Sequence, residues 1–370
     1  MPFSSLSSKT ALTIGAAALA TLVAVAVFSR SSGPAGDPGL AAALAPIRIA
    51  RELAPNTALQ RVAIGSCLRQ TRPIPIFKDV MAAKPDVLLM IGDNVYGDFN
   101  DAEAGPLRTA YTALAGQPDY QRIRSAVPIL PIWDDHDFGR NDGGADFAFR
   151  AVSGRLFHQF WGLQPQRPID EGIHYSRLYG NAGRRLQIIM LDTRSFRSPI
   201  KRKTAAFEHW GNFEPDPDPA KTMLGDKQWA WLADELKKPA DVRLIVSSIQ
   251  VLAEGHGWER WGNLPYERQR FVELLGTVQG GALVLFSGDR HSGAFYSTSV
   301  KGREILELTT SSLNAPPPGP NRDARIPPLA SDIFSKENFG LAEIDWDKRI
   351  VLLTLRGLNG EIFAERPVKF

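Results

Sequence analysis

The chain has 370 residues, 44% of them hydrophobic and 22% charged, an ordinary globular composition that excludes disorder as the default state. Its 43 basic and 40 acidic residues leave a formal charge of +3, spread without long like-charge runs, so nothing in the balance argues for a nucleic-acid partner. Eight tryptophans and nineteen phenylalanines supply a large aromatic core, with some left to line a cleft.

Residues 11–28 (ALTIGAAALATLVAVAVF) carry no charge, follow Lys9 and precede Arg30, which makes an export segment. Eighteen apolar residues just reach the length of a membrane-spanning helix and favour an uncleaved anchor over residues 1–30. A shorter apolar region closed by Ala24-Val25-Ala26 is instead the pattern of a cleavable signal peptide, and both remain open. The expected destination is the periplasm or another extracytoplasmic space, with the protein secreted or associated with the membrane through residues 11–28. A Gly/Pro/Ala-rich stretch over 31–58 reads as a linker, and 59–370 as one folded domain. On that division a chain beginning near Ile47 should keep its fold.

RVAIGSC (61–67) reads as a short strand ending in Gly65-Ser66, and PIFKDVMAAK has a helical period. DVLLMIGD (86–93) is a continuous apolar run, the pattern of a strand buried on both faces. After a helical stretch to about residue 126, PILPIWDDHD (128–137) repeats the plan of apolar strand followed by polar cluster. LQIIMLDTR (186–194), VRLIVSSIQ (242–250) and ALVLFSGDRH (282–291) do the same, with helices near 147–161, 225–237 and 265–279. Alternating strand and helix argues for an α/β fold. Past residue 293, short strands with hairpin-like punctuation are expected to complete a second sheet, with the Pro-rich stretch 314–330 as a surface loop between them.

In open α/β sheets the ligand site lies beyond the carboxyl ends of the strands. Here those ends carry Cys67, Asp93, Asp135, His136, Asp192, Gln250, Asp289 and His291. Cys67 is the sole cysteine, so in an oxidising compartment no disulfide uses it. In GDNVYGD (92–98) Asp93 follows Gly92, where the backbone can approach a ligand closely, and Tyr96 lies three residues on; capping of the next helix is the plainer role for Asp93. WDDHDFGRNDGG (133–144) holds four acids, His136 and Asn141, a density costly to bury without a cation unless it is a solvated turn. SGDRHSG (287–293) brings Asp289 and His291 to one side of a strand end. Alone, that pair fits a ligand and a satisfied loop histidine equally.

Together these clusters resemble the metallophosphoesterases. Cys67 at the first strand end, Asp93 with Tyr96, Asp135-His136-Asp137 and Asp289-x-His291 resemble in particular the alkaline phosphatase D (PhoD-like) family. LDTRSFRS, MLGDKQWAWLADEL and WERWGNLPYERQRF carry the resemblance further, so that it covers roughly residues 60–310. It implies a metallophosphoesterase-like sandwich of two mixed β-sheets flanked by helices, and a hydrolase of phosphate mono- or diesters that uses Fe3+ and Ca2+, another divalent metal being the alternative. Carried over residue by residue, Cys67, Tyr96 and His291 are expected to bind iron and Asp93 to bridge the metals, while Asp135, Asn141 and Asp289 hold the second ion. Gln250 stands where the superfamily places a lone histidine, as a metal or substrate contact. His136 is expected to approach the substrate and donate to the leaving oxygen. Arg140 is either a phosphate clamp or a surface arginine paired with Asp137 or Asp142. Softness fits these roles, since thiolate and phenolate suit Fe(III) and an oxygen-rich set suits calcium.

Arg194 and Arg197 read as structural partners of neighbouring acids. One alternative is a phospholipase-like phosphodiesterase acting on lipid headgroups, on the strength of the export segment and of Trp258 and Trp261 in a loop able to border the cleft; core packing covers those tryptophans equally well. The other is a non-catalytic metal- or phosphate-binding protein, against which His136 speaks. The sequence carries no nucleic-acid-binding module and no Gly-x-Ser-x-Gly stretch of a serine hydrolase.

Overall fold

Each apolar run that precedes a polar cluster forms a strand, and six of them supply the parallel centres of two sheets. The computed structural model describes residues 36–370 apart from 46, 207 and 320, so the expected export segment at 11–28 lies outside the described residues. No helix among the described residues is long and apolar enough to cross a membrane.

In the first half of the chain run α1 (Pro38–Leu44), β1 (Arg61–Gly65), α2 (Ile76–Ala82), β2 (Val87–Ile91), α3 (Gly105–Gly116), α4 (Pro118–Ala126), β3 (Ile129–Ile132), the single turn α5 (Asp135–Phe138), α6 (Arg150–Trp161), β4 (Tyr175–Tyr179) and β5 (Leu186–Met190). The second half adds α7 (Gly225–Lys237), β6 (Val242–Val246), α8 (Pro265–Thr277), β7 (Ala282–Ser287), β8 (Ala294–Val300), β9 (Arg303–Thr309), β10 (Phe339–Asp345), β11 (Ile350–Arg356) and β12 (Ile362–Lys369). They make two six-stranded mixed sheets, ordered β12-β11-β10-β1-β2-β3 and β4-β5-β6-β7-β9-β8. The parallel neighbours are β1-β2-β3 in one and β5-β6-β7-β9 in the other. This is the sandwich of mixed sheets with flanking helices that the family resemblance implies.

Burial explains the layering. Strands β2, β5, β6 and β7 are buried at every position, because one face of each sheet meets the other sheet and the opposite face is covered by helices. One apolar cluster draws on both sheets, through Ile64, Met90, Val246, Phe286 and Leu341. A second lies on the outer face of the second sheet, where Ile189, Ile245 and Leu285 meet Trp229 and Leu232 of α7 and Phe271 and Leu275 of α8. Those helices present apolar residues three to four apart, the spacing of one helical face.

The C-terminal strands correct the expectation that they complete one sheet. The hairpin β8-β9 joins the second sheet, where β9 lies parallel to β7 in the register Val284↔Leu306. Strands β10 to β12 return to the first sheet, with β10 antiparallel to β1 in the register Ala63↔Leu341. Hairpin punctuation identifies sequence neighbours that pair, but not the sheet edge that receives them. Strand β4 has no clear signature in the sequence because its central residues are partly exposed along an edge.

The segment expected to be a plain linker contributes helix α1. Asp37 Oδ1 accepts from Leu40 N at 2.6 Å, which caps the helix behind Pro38. Asp37 also pairs with Arg108 of α3, and its main chain exchanges hydrogen bonds of 2.8 and 2.7 Å with the Gln159 amide of α6. Leu40 is fully buried by this docking. A chain beginning near Ile47 therefore loses a packed helix, which the low-complexity composition concealed. Leu40→Ala should lower unfolding free energy by about 2 to 5 kcal/mol, measured by denaturant titration of residues 36–370; an unchanged midpoint would show that α1 adds nothing to the fold.

Candidate metal centre

The carboxyl ends of the parallel strands from both sheets meet at one place. After β1 comes Cys67, after β2 Asp93, after β3 Asp134 to His136, after β5 Asp192 and Arg194, and after β7 Asp289 and His291. Cys67, Asp93, Asp289 and His291 all have left-handed backbones, with φ of 56°, 49°, 66° and 54°. Non-glycine residues rarely adopt this region, and four at one centre mark a functional site that its surroundings hold in place. The sheets come so close here that a Cβ on Gly288 would meet Ser66 Oγ at 2.5 Å, and one on Gly92 would meet Ser248 Cβ at 3.2 Å. Ser66 Oγ donates to Thr310 O at 3.1 Å and Thr310 Oγ1 to Ile64 O at 3.2 Å, which ties the end of β1 to the end of β9.

Four donor groups form a continuous chain of contacts. Cys67 Sγ lies 3.5 Å from Asp93 Oδ2, the Tyr96 hydroxyl donates to the same oxygen at 3.1 Å, and that hydroxyl lies 3.1 Å from His291 Nε2. Ligand atoms about 2.1 Å from one ion and at right angles to each other are about 3 Å apart, so these separations suit a shared cation. Burial, against the Ser311 hydrogen bond, pushes the Cys67 thiol up to about 11. Burial and the Asp93 charge raise the Tyr96 phenol well above its usual range. Without a cation both groups hold their protons, and a metal ion must displace them to bind.

Asp93 reaches both halves of the site, since Asp93, Asp135 and His136 also offer donor atoms within 4.8 Å of one another, as do Asp134, Asp135 and Asp289. Burial and the neighbouring Asp135 raise the Asp93 carboxyl well above the usual carboxylate range; burial with Asp134 and Asp135 does the same to Asp289. Burial alone would raise Asp135 too, but the positive charge of His136 and Arg194 holds it below the usual value. Asp134 Oδ2 and Asp135 Oδ1 are buried without a hydrogen-bond partner. Crowded carboxylates with unpartnered buried oxygens are what a cation would stabilise, so the residues present fit metal ions.

Arg194 and Arg197 are the buried counter-ions. Arg194 Nε donates to Asp134 Oδ1 at 2.6 Å and its Nη1 to Glu259 Oε2 at 2.5 Å, while Arg197 Nη2 lies 2.9 Å from Glu259 Oε1. Their expected role as partners of acids holds. Asp137 belongs to the scaffold, its carboxylate accepting from Asp134 N at 2.6 Å and Asn94 Nδ2 at 2.5 Å, which locks the β2 and β3 loops together.

A cavity of about 950 Å³ opens over these groups, lined among others by Arg69, His136, Trp210, Trp258, Arg290 and the prolines 316–318. His136 sits on its wall with Nδ1 2.9 Å from Asp98 Oδ2. Asn141 also lines the wall, exposed, with its amide nitrogen donating to Asp142 Oδ2 at 2.7 Å, and it is Asp142 that groups with Asp135 and Glu259. Two expected contacts lie elsewhere. Gln250 is buried with its amide oxygen 2.8 Å from His256 Nε2 and its nitrogen donating to Thr309 Oγ1 at 2.9 Å, so local partners take the place of a ligand. Arg140 pairs with Asp146 at 2.6 Å over the ring of Phe147, outside the cavity lining. Trp261 stacks on Phe271 in the core, whereas Trp258 does border the cavity. Sequence reasoning missed Asp98, Asp134, Asp142, Glu259, Arg69 and Trp210; the first four stand inside motifs already noticed, but Arg69 and Trp210 carried no signal.

Two mixed sheets closing over a cleft of metal-donor side chains define a metallophosphoesterase-like fold. The family model for PhoD-like phosphatase matches residues 63–349, and the chain belongs to that family of phosphoester hydrolases. It is similar to the solved structure of PhoD, at 16% identity and a TM-score of 0.68 over 85% of this chain and 70% of that one. It is also similar to the purple acid phosphatase PPD1 isolated from seeds of yellow lupin (Lupinus luteus), at 12% identity and a TM-score of 0.57 over 86% of this chain and 55% of the other. No curated protein matches it.

The Arg194 network makes a stability prediction. Arg194→Leu leaves Asp134 without its buried guanidinium and Glu259 with that of Arg197 alone, so the metal-stripped protein should lose about 3 to 5 kcal/mol of unfolding free energy. A loss below about 1 kcal/mol in denaturant titration would mean that protons already neutralise those acids.

Proposed function

We propose that this chain is an exported hydrolase of phosphate esters in which Cys67, Tyr96 and His291 hold Fe3+, Asp93 bridges, and Asp135 and Asp289 contribute to a Ca2+ site. The observation that carries the reading is the contact chain Cys67–Asp93–Tyr96–His291, in which Cys67, Asp93 and His291 sit at strand ends with left-handed backbones. A thiolate and a phenolate suit Fe(III), and carboxylate oxygens suit calcium. Asn141, Gln250 and Arg140 drop out of the set. Metal ions bound there supply a water that is nucleophilic at neutral pH and neutralise the charge of an in-line displacement.

The protein's own groups do the rest. His136 stands against the ring of Tyr96, with centroids 4.3 Å apart, and Asp98 holds its Nδ1. The negative charge of Asp135, Asp93 and Asp98 outweighs burial and pushes the His136 imidazole up to about 10 when no cation neutralises those carboxylates; its place on the cavity wall, with Asp98 on Nδ1, suits it to donate to the leaving oxygen. Arg69, whose guanidinium lies 4.3 Å from the Tyr96 ring centroid on the cavity wall, is the better placed phosphate clamp. Residues 11–28 are proposed to direct the enzyme out of the cytoplasm.

Assays of p-nitrophenyl phosphate, its bis ester and phosphatidylcholine beside metal analysis test this reading. His136→Ala should lower kcat by about 10² to 10⁴ with metal content intact, and loss of metal with activity would instead make it a ligand. The purified enzyme should absorb visible light through thiolate and phenolate bound to iron. Cys67→Ser should then reduce iron content and shift the band, and Tyr96→Phe should bleach most of it. A colourless, fully active protein containing zinc, whose filled d shell gives no such band, would refute iron and leave ester hydrolysis standing.

A further inference from the structure

The cavity is far larger than a phosphate group needs, and its outer wall is aromatic. Trp210 is 49% exposed, one of the few large hydrophobic side chains at the surface, and it lines the cavity beside Trp258 with ring centroids 6.0 Å apart at 75°. A tryptophan pair lining a cleft offers a large apolar face to a ligand.

The pair is built in. Gly211 and Gly257 form a β-bridge directly beside the two tryptophans, with Gly257 N donating to Trp210 O at 2.6 Å and Phe213 N donating to Gly257 O at 2.7 Å. Gly211 has φ of 138°, and a Cβ there would meet Gly257 C at 2.1 Å. Only glycine lets the two loops approach so closely, and that approach fixes both rings. Trp258 lies next to the metal centre, because Arg290, between Asp289 and His291, has its guanidinium 5.6 Å from the Trp258 ring centroid and is held by Asp323 at 3.0 Å. Arg322 stands 4.8 Å from the Trp210 ring centroid. A phosphate ester at the centre would therefore carry its organic group toward these rings.

We infer that Trp210 and Trp258 form an aromatic subsite for the organic group of the phosphate ester, and that the preferred substrates bear a planar aromatic group, an aryl ring or a nucleobase. This rests on the proposed ester hydrolysis. Planar groups gain from stacking on an indole, and arginine beside the ring adds to it. A quaternary ammonium headgroup would use the same rings, but two guanidiniums already lie against them and would repel it.

The test compares p-nitrophenyl phosphate, glycerol phosphate and phosphocholine on the full metal-loaded enzyme, reading released phosphate. Trp210→Ala should lower the ratio of kcat/KM for the aryl ester over glycerol phosphate by roughly 5- to 100-fold, the size of one stacking contact, through KM of the aryl ester. Trp210→Phe should restore most of it. A ratio that moves by less than about fivefold overturns the subsite while leaving ester hydrolysis intact. A wild-type preference for phosphocholine that Trp210→Ala abolishes overturns it in favour of a cationic headgroup. An enzyme that hydrolyses none of the three and releases no p-nitrophenol from the bis ester, with metal content verified, removes the hydrolase reading and the subsite with it.

Discussion

Negative charge gathered between two sheets is the constraint on which the rest of this protein depends. Asp93, Asp134, Asp135 and Glu259 are all at most 3% exposed, and Asp289 adjoins them. The permanent buried cations facing them are Arg194 and Arg197, both engaged by Glu259 and one by Asp134. Isolated charges cannot be left in such a medium, so the group must bind cations or take up protons. Burial and mutual repulsion push Asp134 and Asp142 up to about 7 and carry Asp93 and Asp289 well above their usual range. The metal-free centre is therefore partly protonated, and loading it exchanges protons for metal ions. Replacing a buried ion pair by apolar residues is often neutral or stabilising, so the Arg194 network is better explained by where it holds Asp134 and Glu259 than by any gain in stability.

Much of the architecture was legible because parallel strands buried on both faces read as unbroken apolar runs, and the residue types that follow them announce chemistry. Six such runs carry Cys67, Asp93, Asp135, Arg194, Gln250 and Asp289 at or just beyond their ends. What failed did so for local reasons. Gln250 has the right address but its amide meets His256 and Thr309, and Arg140 finds Asp146 six residues on. Neither pairing has a sequence signature. Asp98, Arg69 and Trp210 escaped notice because their relevance comes from loops that meet only in three dimensions. Strand β4 escaped because an edge strand with partly exposed central residues shows no apolar run, and β10 to β12 were assigned to the wrong sheet because pairing of neighbours says nothing of the edge they join.

Backbone conformation at the centre was equally invisible, and it decides how the site works. Cys67, Asp93, Asp289 and His291 each sit in a region that costs an ordinary residue about 1 to 2 kcal/mol. Such strain persists only where the surroundings over-determine it. Here hydrogen bonds to the backbone do so: Cys67 N donates to Gly92 O at 3.2 Å, Leu68 N to Asp93 O at 2.8 Å, and His291 N to Ser311 Oγ at 2.7 Å. Asn338 Nδ2 fastens the Ser311 carbonyl in turn at 2.9 Å. Bonds between neighbouring strand ends thus hold the backbone at Cys67, Asp93 and His291, and their energy comes from the fold. It follows that the fold sets the backbone from which each donor projects, whereas its protonation depends on the charges around it. Affinity for metal ions is then governed by how readily thiol, phenol and carboxyl groups give up their protons, while the geometry offered to a phosphate ester is a property of the two sheets.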